Sequence, residues 1–211
     1  MDALSADVAQ WFAGRTFHGP RGLDAYGDYQ RYAIPTLALV LTHAASYGTV
    51  VHAGGHIGLV SLALAERFAH VLTFEAADDN FAWLARNVRD APQVQARYGA
   101  LGDGQPVALV RAKYSACHHA KGPGAVPCYR VDDLDVSSLD VLLLDIEGGE
   151  LVALHHAEET LRRCRPLVVV EEYARWMRRY ARHPGDVAHF LAGFHYQQVG
   201  ASAFDVAFAV P

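Results

Sequence analysis

The sequence contains few cysteines, few lysines and no surplus of positive charge. Its three cysteines, Cys117, Cys128 and Cys164, are too few and too scattered for a disulfide framework or a zinc knuckle. Only two of the 18 basic residues are lysine, and 23 acidic residues give a net charge of −5. This charge excludes the basic surface that is typical of nucleic-acid-binding proteins, so we expect no nucleic-acid partner.

Long hydrophobic runs are also absent. The longest apolar stretches, near residues 34–40 and 141–144, are far shorter than the ~20 residues of a membrane-spanning helix. The N-terminal residues MDALSADVAQWFAG carry acid where a signal peptide carries basic residues. An odd number of cysteines suits a reducing compartment. We therefore expect a cytoplasmic protein that has no membrane partner.

The composition indicates one globular domain. The 211 residues are 52% hydrophobic and 19% charged, which excludes a disordered chain, a collagen and a coiled coil. No internal repeat, low-complexity tract or Gly/Ser linker divides the sequence. The length then favours a single domain over residues 1–211.

Short β-branched runs alternate with helical patterns along most of the chain. This alternation predicts an α/β fold, with a mostly parallel sheet, helices on both faces and a C-terminal antiparallel strand pair. The predicted strands cover residues 49–52, 70–75, 94–98, 139–145, 167–171, 196–199 and 204–210. The predicted helices cover residues 59–68, 78–88 and 150–163, with a further helix ending near residue 194.

Two segments depart from this pattern. Residues 29–46 read as a helix that precedes the repeating units, so we divide the chain into an N-terminal helical segment, 1–46, and a core, 47–211. Between residues 102 and 129 the pattern dissolves, and His118, His119 and Lys121 lie there among glycines and prolines. We predict a mobile loop for this second segment.

A glycine-rich turn follows the first strand. It reads His-Ala-Gly-Gly-His-Ile-Gly over residues 52–58, and Glu75 ends the second strand 17 residues beyond Gly58. Such a turn lets a ligand approach the backbone, and an acid at the end of the next strand can accept hydrogen bonds from both ribose hydroxyls. Together they predict a nucleotide-like ligand.

Two ligand classes fit such a turn. The dinucleotide pattern G-x-G-x-x-G, aligned on Gly58, fails because Ala53 occupies the first glycine position. The S-adenosylmethionine pattern D/E-x-G-x-x-x-G fits at Gly54 and Gly58, with His52 at the acidic position. The short chain also leaves little room for the second domain of a dehydrogenase. S-adenosylmethionine is therefore the cofactor that we expect.

A second cluster of acids ends a buried strand. The run Leu-Leu-Leu before Asp145 predicts a strand covered on both faces, and ligands of open α/β sheets bind at such carboxyl ends. Asp145 and Glu147 would share one face if the strand continued. Glu150 is most simply a helix-start residue favoured by the helix dipole.

The motifs in this order resemble those of the FkbM-type S-adenosylmethionine-dependent methyltransferases. The resemblance covers residues 50–172 and includes VPCYRVDDL at 126–134 and the strand end LLLDIEGGE at 142–150. It implies the Rossmann-like, seven-stranded class I methyltransferase sheet and O-methylation of a sugar or polyketide-like hydroxyl. His52, Gly55 and Leu144 depart from the Asp, Ala and Lys that the family usually has.

The resemblance also implies roles for single residues. Gly54 and Gly58 would flank the methionine part of the cofactor, Glu75 would bind the ribose, and residues 99–101 would approach the adenine. Asp145 would lie near the transferred methyl group. The residues expected to bind the cofactor are His52, Ala53, Gly54, Gly55, His56, Gly58, Glu75, Ala76, Ala100, Leu101 and Asp145.

Methyl transfer to a hydroxyl needs a base or a metal ion. We nominate Asp145, Glu147 and His118 as catalytic residues, with Glu147 next to the acceptor and His119 as a weaker candidate. We assign no metal ligands, although Asp145, Glu147 and a loop histidine form a conceivable site. Because an imidazole has an unperturbed pKa of about 6.5, protonation of His52 should weaken cofactor binding below about pH 6.

The most direct interpretation is a methyltransferase that acts on a small molecule or glycan, as a monomer or homodimer. The segment 1–46 would cap the cofactor or substrate side. Two alternatives stay open: an inactive methyltransferase-like binding or assembly module, suggested by His52, and a nicotinamide-dependent oxidoreductase, which Ala53 disfavours.

Overall fold

A computed structural model describes residues 15–20 and 33–211. The helices of this part are α1 (Ile34–His43), α2 (Leu59–Ala65), α3 (Asp78–Val88), α4 (Glu150–His155), α5 (Glu158–Cys164), α6 (Ala174–Met177) and α7 (Asp186–Ala192). The strands are β1 (Thr49–Ala53), β2 (His70–Glu75), β3 (Val94–Tyr98), β4 (Ala100–Leu101), β5 (Val107–Val110), β6 (His119–Pro123), β7 (Cys128–Tyr129), β8 (Val141–Leu144), β9 (Leu167–Glu171), β10 (Gln197–Ala201) and β11 (Asp205–Ala209).

Seven of these strands form one sheet in the order β10-β11-β9-β8-β1-β2-β3. The five strands from β9 to β3 are parallel, and β11 is antiparallel to both β9 and β10. The predicted mostly parallel sheet with a C-terminal antiparallel strand is confirmed. The chain leaves β1 in one direction through β2 and β3 and later returns on the other side at β8. Open α/β sheets bind ligands at such a reversal point.

The sheet is buried on both faces, as its apolar strands predict. On one face, Leu143 and Val169 pack with α1 and α2. On the other face, Leu142 and Leu144 pack with apolar residues of α4, α5 and α7. All four residues of β8 are buried, which explains why this strand reads as a continuous apolar run rather than an alternation.

The helix predicted over residues 150–163 is divided into α4 and α5. The division lies at His156 and Ala157, because the side chain of Asp132, which is distant in the sequence, caps the start of α5. The Asp132 carboxylate accepts hydrogen bonds from the backbone N–H groups of Glu159 at 3.2 Å and Thr160 at 2.8 Å. A capping residue that lies 28 positions away in the sequence leaves no local signal for the start of the helix.

The mobile loop predicted between residues 102 and 129 is wrong in part. Residues of this segment form an antiparallel hairpin from β5 and β6, and β7 pairs with β4. The hairpin is largely exposed or half-buried, and its register shifts between Val107 and Leu109. A strand pair without a buried face lacks the alternation of apolar and polar residues that identifies strands in a sequence.

The N-terminal helix is shorter than predicted within the described residues. It begins at Ile34 and ends at His43, and residues 21–32 lie outside the described part. The helix packs on the sheet, and the Thr36 hydroxyl donates a hydrogen bond of 2.7 Å to Asp205 at the start of β11. Its first turn therefore lies at the carboxyl edge of β9. None of the helices in the described ranges is long and apolar enough to cross a membrane.

The cap from Asp132 yields a test of the fold. Replacing Asp132 with Ala removes the acceptor of two N–H groups at the start of α5, so we expect a loss of about 1 kcal/mol in the free energy of unfolding. Urea denaturation measures this change. The matched control is Asp133→Ala, since Asp133 is exposed and its nearest cation, Arg130, is 3.9 Å away. Equal stability of the two variants would contradict the capping role.

Candidate functional site

The candidate residues lie along the carboxyl edge of the sheet in the order of the strands. Glu75 ends β2, Gly54 follows β1, Asp145 follows β8 and Glu171 ends β9. Neighbouring strands remain hydrogen-bonded up to this edge, since the Asp145 N–H group donates to Ala53 O at 3.0 Å. The glycine turn after β1 and the acids after β8 and β9 are distant in the sequence. The fold therefore places them side by side along this edge of the sheet.

The glycines of the turn are required by close packing of the backbone. Gly54 and Gly58 have φ angles of +92° and +96°, which favour glycine. A Cβ atom at Gly54 would lie 1.8 Å from the carbonyl oxygen of Asp145, and one at Gly55 would lie 2.7 Å from the Thr73 hydroxyl. These glycines let β1 approach its neighbours, so packing explains them without a ligand.

Glu75 is a buried carboxylate held by the backbone around it. Its Oε2 atom accepts a hydrogen bond from the His56 N–H group and its Oε1 atom accepts one from Ala77, both at 2.7 Å. Burial raises the pKa of Glu75 to about 7, against the lowering effect of these bonds. The Asn80 side chain also interacts with this carboxylate and lowers its pKa, and a remaining lone pair can accept a hydroxyl group.

The side chain of His52 lies in the protein interior rather than at the edge. Its Nδ1 atom is 3.0 Å from the Ser61 hydroxyl, which donates a hydrogen bond to the Thr73 hydroxyl at 2.9 Å. Burial lowers the pKa of His52 to about 4. The burial and the lowered pKa argue against the expectation that protonation of His52 weakens cofactor binding below pH 6, because an imidazole with this pKa is neutral between pH 5.5 and pH 8.

Two residues of the segment 102–129 for which no site role was predicted, Arg111 and Ser115, contact the glycine turn and helix α3. Ser115 Oγ lies 3.0 Å from His56 Nε2, and the Ser115 carbonyl accepts a hydrogen bond from the Asn80 side chain at 3.0 Å. Arg111 of the same segment pairs with Asp79 at the start of α3 at 2.7 Å. These contacts join residues distant in sequence, so no spacing predicts them.

His118 lies on the Glu75 side of the site. Its Nδ1 atom accepts a hydrogen bond from the Ala112 N–H group at 3.0 Å, and its charge interacts with His56 and Asp79. Partial burial lowers the pKa of His118. The structure thus brings Asp145 and Glu147 together and places His118 near Asp79 and His56. The charge of His119 interacts instead with Arg179.

The remaining predicted cofactor contacts present backbone rather than side chains. Ala53 and Leu101 are buried in the same apolar cluster, and Ala100 is buried beside them. Ala76 is half-buried next to Glu75, and the Gly99 N–H group donates to the Glu75 carbonyl at 2.9 Å. The segment 99–101 therefore begins next to Glu75.

A tight turn, rather than a continued strand, places Asp145 and Glu147 together. Strand β8 ends at Leu144, and Glu147 and Gly148 have φ angles of +61° and +108°. Glu150 stabilises this turn, because its Oε1 atom accepts hydrogen bonds from the N–H groups of Ile146 at 3.0 Å and Gly148 at 3.1 Å. The role of Glu150 in the structure is therefore to hold the loop.

Three carboxylates form the acidic cluster of the site: Asp145, Glu147 and Glu171. Each offers an oxygen atom, and these atoms lie within 4.8 Å of one another. Asp145 is exposed at the sheet edge, yet protein atoms crowd it, and this desolvation raises its pKa together with repulsion from neighbouring acids such as Asp205. Burial and the Asp145 charge likewise raise the pKa of Glu171. The three are close enough to share one cation.

Arg179 is the partner of Glu147 and was not predicted. Its Nη1 atom lies 3.0 Å from Glu147 Oε2, and its guanidinium stacks on the Trp176 ring at 3.9 Å. Burial raises the pKa of Glu147 to about 7, while Arg179 lowers it. The sequence offered no signal for this residue, because Arg179 is one of many arginines and its spacing from Glu147 follows no motif.

The buried charge of Glu150 yields a pH-dependent prediction. Burial raises its folded-state pKa from 4.5 to about 7, so the wild type loses stability as the pH rises through this interval. Glu150→Gln keeps an accepting oxygen and removes the charge. We expect the variant to be more stable than wild type by about 1–3 kcal/mol at pH 8 and equal to it at pH 4.5.

Urea denaturation at both pH values measures this difference. The control is Glu159→Gln, because Glu159 is exposed on α5. If Glu150→Gln shows the same pH dependence of unfolding as wild type, the carboxyl is already ionised without cost in the folded protein.

Comparison with known proteins gives the family. A family model for the methyltransferase FkbM domain matches residues 52–197, and no curated protein matches significantly. The solved structure of an FkbM methyltransferase from Methylobacillus flagellatus KT has a TM-score of 0.54 at 17% identity, covering 97% of this chain and 57% of that one. The chain thus spans little more than half the length of that protein.

Two further structures share the fold at low identity. The N-methyltransferase NodS from Bradyrhizobium japonicum WM9 has a TM-score of 0.56 at 9% identity, covering 90% of this chain and 99% of that one. Magnesium protoporphyrin IX methyltransferase from Synechocystis PCC 6803, solved with bound SAH, has a TM-score of 0.55 at 10% identity, covering 99% and 95%. Since the FkbM model matches well over half of the chain, the protein belongs to the FkbM methyltransferase family, whose cofactor is S-adenosylmethionine.

Proposed function

We propose that the protein transfers the methyl group of S-adenosylmethionine to a hydroxyl oxygen of a small molecule or glycan. The observation that carries this proposal is the order of acidic groups along one sheet edge, from Glu75 through Asp145 to Glu147 and Glu171. A donor held at the Glu75 end and an acceptor held at the Glu171 end would meet beside Asp145.

The residues at the Glu75 end of the sheet edge fit the methyl donor. When bound, S-adenosylmethionine supplies an electrophilic methyl group on a sulfonium: the acceptor oxygen forms a bond to this carbon, the carbon–sulfur bond breaks and the hydroxyl proton is released. Glu75 keeps a lone pair that can accept a ribose hydroxyl, and the exposed carboxylate of Asp145 is suited to the cationic amino acid part. His52 is occupied by Ser61 in the interior, so its replacement of the family's acid does not place a positive charge at the edge.

The residues at the Glu171 end of the sheet edge fit a hydroxyl acceptor. A hydroxyl becomes nucleophilic when a base accepts its proton or a metal ion polarises it, and carboxylates serve either purpose. The Oε2 atom of Glu147 is held by Arg179, which leaves Oε1 as the oxygen that can meet an acceptor. The chain's main contribution is then to hold the two reactants in line at the sheet edge.

Methyl transfer from isotopically labelled S-adenosylmethionine to a panel of acceptors tests the proposal. The panel should contain sugars, polyols, phenols and, for comparison, primary amines. We expect label in an oxygen-linked methyl group. Label only in nitrogen-linked methyl groups would contradict the hydroxyl specificity but not the methyltransferase activity.

Glu75 provides the test of the donor end. Glu75→Gln should weaken S-adenosylmethionine binding by ~1–3 kcal/mol, about 5- to 150-fold, because the amide loses one acceptor for the ribose hydroxyls. Calorimetric titration measures the change, with Glu66→Gln as control because Glu66 forms a surface ion pair with Arg15. If Glu75→Gln binds like wild type and remains folded, the cofactor does not bind at this carboxylate.

Asp145 and Glu147 provide the test of catalysis at the place where donor and acceptor would meet. In Asp145→Asn and Glu147→Gln, methyl transfer should fall by at least ~100-fold in one of the two, the scale of lost acid–base assistance. Full turnover in both variants would show that these carboxylates do not assist the reaction. Thermal unfolding of the same samples separates a loss of catalysis from a loss of structure.

A further inference from the structure

We propose that Asp145, Glu147 and Glu171 form a binding site for one divalent cation, such as Mg²⁺ or Mn²⁺. One oxygen atom from each residue lies within 4.8 Å of the others. Oxygen atoms that bind the same cation at about 2.0–2.6 Å lie roughly 3–5 Å apart. The described residues thus already have the spacing of a three-carboxylate site, and small side-chain rotations would complete it.

A second observation points independently to a ligand at this place. The Oε2 atom of Glu171 is completely buried and has no hydrogen-bond partner among the described residues. A buried carboxylate oxygen without a partner costs free energy, and such atoms are rare in folded proteins. A cation that accepts the lone pairs of this oxygen supplies the missing partner.

Other acids near the cluster are already occupied. Glu150 accepts the N–H groups of its own loop, and Asp205 accepts the hydroxyls of Thr36 at 2.7 Å and Ser202 at 2.9 Å. These contacts leave the three proposed ligands as the acids that are open to a cation. Arg179 neutralises only one of them, at Glu147 Oε2, so a divalent cation would balance the other two charges.

The donor atoms favour a hard cation. All three ligands are carboxylate oxygens, without a cysteine or histidine, and this set suits Mg²⁺, Mn²⁺ or Ca²⁺ rather than Zn²⁺ or Cu²⁺. The third ligand is Glu171 from the neighbouring strand, whereas the sequence suggested a loop histidine. Strands β8 and β9 bring Asp145 and Glu171 together because they are parallel neighbours.

The role of this cation rests on the proposed function, whereas its binding does not. A cation with three protein ligands has coordination positions left for two acceptor oxygens. The site would therefore favour an acceptor with adjacent hydroxyls, such as a sugar or another vicinal diol. This gives the substrate class of the methyl transfer more narrowly than the fold does.

Binding of Mn²⁺, followed by electron paramagnetic resonance and calorimetry, tests the site directly. We expect one Mn²⁺ per chain in the wild type and at least tenfold weaker binding in Glu171→Gln. The matched control is Glu172→Gln, because Glu172 is the next residue but its carboxylate accepts a hydrogen bond from the Gly185 N–H group at 3.3 Å. Its Mn²⁺ affinity should equal that of wild type. If Glu171→Gln fails to fold, Asp145→Asn replaces it.

Absence of Mn²⁺ binding at millimolar concentration, or equal binding by Glu171→Gln and wild type, would overturn the proposal. The cluster would then hold a proton in place of the cation. S-adenosylmethionine binding is measured on the same samples. A wild type that binds S-adenosylmethionine but no Mn²⁺ refutes the cation site alone, whereas a wild type that binds Mn²⁺ but no S-adenosylmethionine refutes the proposed function and keeps the cation site.

Discussion

The close approach of Gly54 to the carbonyl group of Asp145 is the constraint on which the site depends. A Cβ atom at position 54 would lie 1.8 Å from that oxygen, so only glycine lets β1 and β8 stay paired up to their carboxyl ends. Because the pairing persists, the turn that follows β1 and the acidic loop that follows β8 begin side by side. The donor and acceptor ends of the site are adjacent for this reason.

Burial of several carboxylates at one edge has a cost that the local structure offsets in different ways. Glu75 and Glu150 are held by backbone N–H groups, and Glu147 is held by Arg179. The pKa values of all three nevertheless rise to about 7, because desolvation outweighs these contacts. A protein selected for stability alone would not collect such groups, and perturbed acids of this kind are typical of functional sites.

Much of the fold could be predicted because its signals are local. Strand β2 and helix α3 have the predicted ends, since each has a clear apolar pattern and helix α3 begins with Asp78 and Asp79. The break between α4 and α5 and the hairpin of β5 and β6 could not be predicted, because they depend on a distant cap and on strands without a buried face. Fold prediction from sequence is strong where burial repeats at a regular period and weak where a single long-range contact decides.

The same distinction applies to the site. Glu75, Asp145 and Glu147 were predictable because each lies at or just after the end of a buried strand, and the carboxyl ends of parallel strands meet at one edge. Arg179 and Ser115 lie in segments without such a rule, and only their contacts with Glu147 and His56 connect them to the site. His52 shows the converse limit. Its position in a motif suggested a ligand contact, but residues of a strand alternate between two faces, and the face that carries His52 is turned to Ser61 and Thr73. A motif position therefore specifies a place along the backbone, and the pleat of the strand decides whether its side chain meets the ligand or the core.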